Sequence, residues 1–368
     1  MMNFEFFAAS MAEICGHCLA APGRVLRFTI ITNPKAGGFV IQRRWRRHEE
    51  TLKLYRAKAS SLPARQAGAS LCSKEKGGPA PGLILTTGPG HASKIAAALI
   101  DEIEAGEKAV TGLHPFHLII TAGGDGTSLE VLTSLFHAKP ETLSHCAVLR
   151  LPMGTGNDGA DAAELADALD LLVEPVRIDR ARALRLRTAT SKGPFLAFNI
   201  LSVGLDAFVT HMTNKMKGKF PGDSYKLWVD IAALLYDRIY RVGYMDVRAL
   251  DEKGREIRNF REKVLLLAVG ASGHRTYGYH NRILPDDRNV CVVEQMPLLR
   301  KVALKGLFKT GEHIHYKESI LLSAACMEFR GEHPILAQMD GETVLLTKED
   351  FPAAIELTSP VVPVLKPS

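Results

Sequence analysis

The chain has 368 residues, 46% of them hydrophobic and 23% charged, with a net charge of +6 and a pI near 8.9. This length exceeds one ordinary core and predicts two domains, and the composition excludes a fibrous or disordered chain. No apolar run reaches the roughly 18 residues of a membrane span. Residues 1–21 carry Glu5 and Glu13 without a basic start, so no secretory signal is expected, and six scattered cysteines suit a reducing cytoplasm. The positive balance favours anionic partners: nucleotides, nucleic acid or an acidic membrane surface.

Residues 1–23 read as an N-terminal extension. Cys15 and Cys18 form a Cys-x-x-Cys pair, but no second pair follows, so a zinc site is not expected. Residues 25–32 are rich in β-branched side chains and read as a first strand. The strand ends in Asn33-Pro34-Lys35-Ala36-Gly37-Gly38, and a basic, helix-like segment with Arg43, Arg44, Arg46 and Arg47 follows. Strand, glycine turn and helix start make an anion cradle, although a plain β-to-α turn with solvated arginines has the same pattern. Residues 57–82 are small, polar and glycine- and proline-bearing, as in an inserted surface loop. A strand over 83–85 then leads through Thr86 and His91 into a helix over 93–104. Here His91 is expected to cap or pack rather than to bind a ligand.

Residues 118–120 form a short apolar run of strand type, and Leu129, Leu132, Leu135 and Phe136 fall at helical spacing. Between them lies Thr121-Ala122-Gly123-Gly124-Asp125-Gly126-Thr127. Its glycines allow close approach to the backbone, and the following helix offers unpaired N–H groups to an anion. A carboxylate at such a place repels phosphate unless a metal ion or a proton transfer needs it, so Asp125 points to chemistry. A strand over 147–151 stops at Pro152-Met153-Gly154-Thr155-Gly156-Asn157-Asp158, and Leu165, Leu169 and Leu172 mark another helix. Four strand-turn-helix units predict a mainly parallel α/β sheet, with the glycine turns gathered at the carboxyl ends of the strands.

From residue 176 the texture changes. Residues 182–187, 195–202, 245–250, 264–269, 290–294, 320–329 and 335–339 read as successive strands, interrupted by one helix over about 225–240. Such a run predicts an antiparallel β-sandwich. The expected division is therefore an α/β domain over 24–175, to which a tail over about 352–368 returns, and a sandwich over 176–351.

The stretches 33–37, 123–127, 152–158, Ser202-Val203-Gly204-Leu205-Asp206-Ala207 and Asp340-Gly341-Glu342 stand in the order seen in the diacylglycerol kinase catalytic-domain family, which the chain resembles over about 25–345. The resemblance implies an NAD kinase-like nucleotide domain joined to a β-sandwich, with the site in the cleft between them. It implies ATP and Mg²⁺ as cofactors and transfer of the γ-phosphoryl group to a lipid hydroxyl, a reaction that asks mainly for positioning and electrostatic stabilisation. Carried over residue by residue, Asn33, Lys35 and Gly37 fall on the phosphate loop, and Thr86, Gly124, Thr127, Gly154, Thr155 and Asn157 line the nucleotide. Asp125 matches the catalytic acid and Glu342 a second proposed base, and the two stay open as alternatives. Asp179 matches an acid of the magnesium or headgroup network, so Asp125, Asp179 and Glu342 are the expected metal-linked carboxylates. The sequence departs from the family after Asp158 and again over 282–293, both on the acceptor side.

The resemblance further implies a cytoplasmic enzyme of phospholipid biosynthesis that meets its lipid substrate peripherally at the membrane, with no nucleic acid partner and no stated oligomeric state. Residues 211–220, with Lys215, Lys217 and Lys219 among Met212, Met216 and Phe220, are expected to touch the bilayer. Two other readings compete: an NAD kinase-like enzyme, and a lipid- or nucleotide-binding homologue without turnover. Gly154-x-Gly156-x-x-Gly159 also satisfies a dinucleotide fingerprint, but it leaves Asp125 unexplained.

Overall fold

The computed structural model of the chain describes residues 4–63, 67–69, 82–109, 114–154, 156–159, 162–191, 193, 195–216, 236–277 and 281–368. It divides into two units, residues 1–181 with 360–368 and residues 182–359.

In the first unit the strands are β1 (Leu26–Thr32), β2 (Ala67–Ala69), β3 (Leu83–Leu85), β4 (Phe116–Gly123), β5 (Cys146–Pro152) and β6 (Val176–Ala181), and the chain's last strand, β20 (Val362–Pro367), joins them. The order is β2-β1-β4-β5-β20-β6, with β3 also on β1; β1 to β5 and β20 run parallel and β6 runs against β20. Every residue of β4 and β5 is buried, as expected of parallel strands covered on both faces. The helices are α1 (Phe4–Cys15), α2 (Gly37–Val40), α3 (Gln42–Ser60), α4 (His91–Ala109), α5 (Asp125–Phe136), α6 (Pro140–Leu143) and α7 (Leu165–Val173). Leu26, Phe28 and Ile30 of β1 and Leu118 and Ile120 of β4 share one core with α1, α3 and α7.

Residues 4–18, expected as an extension, are instead part of that core. Phe7, Met11, Ile14, Cys15 and Cys18 are fully buried, and Phe7 meets Phe39 of α2 edge-on at 5.1 Å. Helix α1 therefore supports the turn that follows β1. The loop expected over 57–82 begins later than its composition suggests, because α3 runs to Ser60.

The second unit holds β7 (Leu184–Arg187), β8 (Phe195–Ala197), β9 (Ile200–Gly204), α8 (Leu205–Met216), α9 (Tyr236–Ile239), β10 (Tyr244–Leu250), β11 (Glu256–Gly270), β12 (Arg275–Tyr277), β13 (Asn281–Leu284), β14 (Val290–Glu294), α10 (Leu298–Thr310), β15 (Ser319–Leu322), β16 (Cys326–Gly331), β17 (Ile335–Met339), β18 (Glu342–Leu346) and β19 (Ala353–Leu357). All its pairings are antiparallel. Strand β11 serves two sheets. Residues 256–263 pair with β10, and after a register shift at Val264/Leu266 the strand continues between β9 and β14.

The sandwich core lies between these two layers. Val247 and Ala249 of β10, Leu267 and Val269 of β11, and Val290 and Val292 of β14 meet there. The alternate residues Leu266, Ala268, Cys291 and Val293 face a second core with Phe208 of α8 and Leu304 of α10. The expectation of a single helix here is therefore corrected: α8 and α10 are additional, and of the expected 225–240 helix residues 225–235 lie outside the described residues.

The boundaries also differ from those expected. β6 belongs to the first unit because it pairs with β20 from Val176 to Ala181, and residues 352–359 stay with the sandwich because β19 lies between β16 and β7.

Candidate functional site

Parallel pairing fixes the candidate site of the first unit. Thr32 is level with Ala122 and Ala122 with Leu151, so the three glycine turns leave the sheet at one rim. They are bonded to one another there. The Asn33 amide donates to the Ala122 carbonyl at 3.0 Å, Gly38 N–H to the Met153 carbonyl at 2.7 Å, and Arg44 Nη1 to the Gly154 carbonyl at 3.1 Å. Thr86 N–H donates to the Thr32 carbonyl at 2.8 Å, which brings the end of β3 to the same rim. Asn33 Oδ1 accepts the Lys35 N–H at 3.0 Å, an Asx turn that leaves the Lys35 side chain exposed and starts α2 at Gly37.

The start of α5 is the open part of this rim. Its N-cap is Gly124, with no side chain capping the helix; the Thr127 N–H donates to the Gly124 carbonyl at 3.1 Å and the Asp125 amide bonds its own carboxylate. A methyl group built on Gly124 would meet only the Gly154 Cα, at 3.7 Å, whereas one on Gly154 would come within 2.6 Å of the Gly124 Cα. Gly123 is needed for a different reason, since its Cβ would fall 2.6 Å from the Thr127 hydroxyl. The Asp125 carboxylate accepts the Gly159 N–H at 3.0 Å. Burial pushes that carboxyl above its usual range, and the backbone amides of Gly159 and Asn157 and the Arg150 guanidinium only partly offset this. Asn157 takes a left-handed backbone (φ 61°) and donates from Nδ2 to the Pro152 carbonyl at 3.0 Å, which folds the loop back over Asp125. Gly156 lies between the carboxylates of Asp125 and Asp158.

The structure thus gathers Asn33, Lys35, Gly37, Thr86, Gly124, Asp125, Thr127, Gly154 and Asn157 at one rim, while Thr155 lies outside the described residues. Sequence reading missed Arg44 and Arg150, whose signal was hidden among many arginines, and Asp158, which was read as part of a motif without a role. His91 is the first residue of α4, and its Nδ1 accepts the Thr87 N–H of the preceding turn at 3.0 Å. The N-terminus of α4 beside it is already filled. Glu130 accepts from Gly90, Ala92 and Ser93 at 2.7, 2.9 and 3.3 Å.

Asp179 is not brought to Asp125. It is level with Val364, Val148 and Ile119, four residues below Gly123, and its strand is three places from β4, about 14 Å across the sheet. Its side chain is exposed and accepts the Arg180 N–H at 2.8 Å. Among the described residues no group of three or more His, Cys, Asp or Glu is arranged to hold a metal ion. Cys15 and Cys18 are buried free thiols, and burial pushes the Cys15 thiol well up.

In the second unit the Asp-Gly hairpin has two distinct acids. Asp340 (φ 45°) and Gly341 (φ 102°) form the two-residue turn between β17 and β18. The buried Asp340 carboxylate accepts backbone N–H groups from Phe198, Asn199 and Ile200, at 2.5, 3.1 and 2.9 Å, and ties the hairpin to the β8–β9 corner. Glu342 is exposed at the start of β18. Helix α8 lies alongside, where Asn214 Nδ2 donates to the Gly341 carbonyl at 2.7 Å. Beneath it Ser202 Oγ donates to Asp206 at 2.6 Å, and Gln338 Nε2 to Ser202 Oγ at 3.0 Å. Of the expected membrane contact, Lys217, Lys219 and Phe220 lie outside the described residues. Lys215 is exposed, and Met212 packs on the helix-facing core rather than outward.

Comparison with known proteins agrees with this geometry. Residues 27–188 match the diacylglycerol kinase catalytic domain. A relative from Xanthomonas euvesicatoria pv. vesicatoria described as "Probable lipid kinase YegS-like" is 28% identical over 248 residues, covering 64% of this chain and 75% of the relative. Another, "Probable lipid kinase YegS" from Salmonella arizonae, is 26% identical over 229 residues, covering 61% and 71%. The crystal structure of a diacylglycerol kinase from Bacillus anthracis str. Sterne shares the fold, with a TM-score of 0.52 and 15% identity over 93% of this chain and 97% of that one. No described helix is long and apolar enough to cross a membrane. The ordered motifs, the rim that assembles them and the matched domain thus agree in their likeness to the diacylglycerol kinase catalytic domain.

Proposed function

We propose that the protein transfers the γ-phosphoryl group of ATP to a lipid hydroxyl. The observation that carries this reading is the uncapped start of α5. At Gly124 the protein leaves space that a methyl group would fill, at a helix start with no side-chain cap and beside a carboxyl held above its usual range. The space suits phosphate oxygens approaching the backbone. Asn33, Lys35, Gly37, Thr86, Thr127, Gly154, Thr155 and Asn157 are assigned to the nucleotide around it.

Magnesium held by nucleotide phosphates keeps several waters and takes only one or two protein carboxylates, so Asp125 with Asp158 nearby is a sufficient donor set. When bound, the ion neutralises charge on the phosphates. Asp179 is assigned no part at the reacting atoms. Between the two candidate bases, Asp125 is favoured because burial raises its proton affinity toward that needed to receive a hydroxyl proton late in transfer. Glu342 is assigned to the acceptor.

The test is to incubate the purified protein and its Asp125→Asn variant with labelled ATP, magnesium and a panel of diacylglycerol, monoacylglycerol, sphingoid and isoprenoid alcohols, then extract with organic solvent. Label in the organic phase from the parent alone is expected. Label transferred only to NAD would replace this reading with an NAD kinase.

A further inference from the structure

Helix α10 is a surface helix whose outward arc is apolar. At 100° per residue Leu298, Leu299, Val302, Ala303 and Gly306 share one arc, and all five are exposed. Leu298, Leu299 and Val302 keep 49%, 85% and 51% of their surface open. The inward arc is complete without them. Leu304 is buried in the helix-facing core with Phe308 packed against it, and Lys301 Nζ is ion-paired with Asp237 at 3.0 Å. An exposed apolar arc that no described residue packs against marks an interaction surface.

The charge around the arc is mainly positive. From Arg300 to Lys317 the chain has five Lys or Arg and one acid, Glu312, and the helix itself has no acidic residue. Lys309 and Lys317 are exposed, while the nearby Glu318 is buried and ion-paired with Arg300. Leucine and valine outward with lysine beside them is the pattern of a helix lying in a membrane interface. A second copy of the chain would set like charges against each other.

We propose that α10 docks the protein on an anionic lipid bilayer, with Leu298, Leu299 and Val302 entering at headgroup level and Lys309 and Lys317 facing the headgroup charge. The purpose of this contact rests on the lipid-kinase reading, since a bilayer is where a lipid hydroxyl is found. The surface itself is tested apart from catalysis.

Sedimentation with phosphatidylcholine vesicles containing one-third phosphatidylglycerol, and with phosphatidylcholine alone, should show the parent bound to the anionic vesicles and released by salt. Leu299→Gln with Val302→Gln should weaken that binding about tenfold or more, with an unchanged Tm because both side chains point outward. Lys309→Gln with Lys317→Gln should weaken it and flatten the salt dependence. Both variants should phosphorylate detergent-dispersed lipid at the parental rate. A parent that ignores anionic vesicles, or apolar variants that bind them as the parent does, would overturn the proposal. Dissociation of a dimer by Leu299→Gln with Val302→Gln, with vesicle binding intact, would overturn it in favour of a second copy. If vesicle binding follows the expected pattern but no dispersed lipid is phosphorylated, the docking surface stands and the kinase reading falls.

Discussion

Substituting Gly154 by alanine tests the close packing of the two glycine turns. The new methyl carbon would lie 2.6 Å from the Gly124 Cα and 2.8 Å from Asn157 Oδ1. The first of these is backbone, so no flexible side chain can swing away. Restoring a tolerable separation of 3.4 Å requires the turns to part by about 0.8 Å. Overpacking of this size costs roughly 1–3 kcal/mol of stability. The effect on turnover should be larger in proportion, because a misplacement of about 1 Å at reacting groups costs on the order of 100-fold.

Gly124→Ala is the paired control. Its methyl has room in the protein, with the nearest atom at 3.7 Å, so stability should fall by less than about 1 kcal/mol, the usual worth of an N-cap change. The same methyl stands where phosphate is proposed to approach, so KM for ATP should rise about tenfold or more. Thermal melts together with kcat and KM for ATP separate the two effects. Parental kcat in Gly154→Ala, or an unchanged KM for ATP in Gly124→Ala, would refute the placement of the nucleotide against these turns.

Substitutions at three further positions follow. Asp125→Asn should lower turnover by roughly 100-fold or more. Its effect on stability has the opposite sign: the folded-state pKa is raised, so the contribution of Asp125 is greatest below its unfolded pKa and is lost as pH rises through the folded value. The amide should therefore leave the Tm at neutral pH equal to or above that of the parent, and a lower Tm there would contradict the burial argument. Glu342→Gln should reduce kcat more than it weakens ATP binding, as steady-state kinetics would show; parental kcat at saturating substrates would leave Asp125 as the sole base candidate. Asp340→Ala strips three backbone N–H groups of their acceptor and forces alanine into a left-handed turn, so denaturant melts should show a loss of at least about 2 kcal/mol, whereas Asp340→Asn, which tolerates that backbone, should lose less.

Much of the first unit was legible because its central strands are buried on both faces. Residues 118–120 are an unbroken apolar run and 147–151 are interrupted only by Arg150, and each leads to a glycine turn that the parallel register then carries to one rim. The role of Asp179 did not follow from order along the chain, since register places it four residues down and three strands across. The helix α10 was missed because its outward arc is apolar, which erases the periodicity that announces a surface helix. Strand β11 was seen only over 264–269, because its first eight residues are mostly exposed and charged, and its continuation depends on which partner covers each half. The two acids of the Asp-Gly hairpin are alike in sequence. Only the backbone amides gathered by Asp340 distinguish a structural carboxylate from the exposed Glu342.

The pairing of β6 with β20 has a consequence for how the gene can be cut and joined. The chain leaves the first unit at Ala181 and re-enters it at Pro360, and Ala181 stands directly opposite Val362 in the same sheet. The second unit is therefore spliced into the first at a single point, like a cassette whose two ends are neighbours. Two strand ends in that register can be closed by a turn of about two to five residues, so residues 182–359 could be exchanged for those of another chain of this fold without moving β5, β20 or β6. By the same connectivity, removing the last seven residues would delete an interior strand and separate β6 from β5. The carboxyl terminus tolerates an appended tag better than it tolerates shortening.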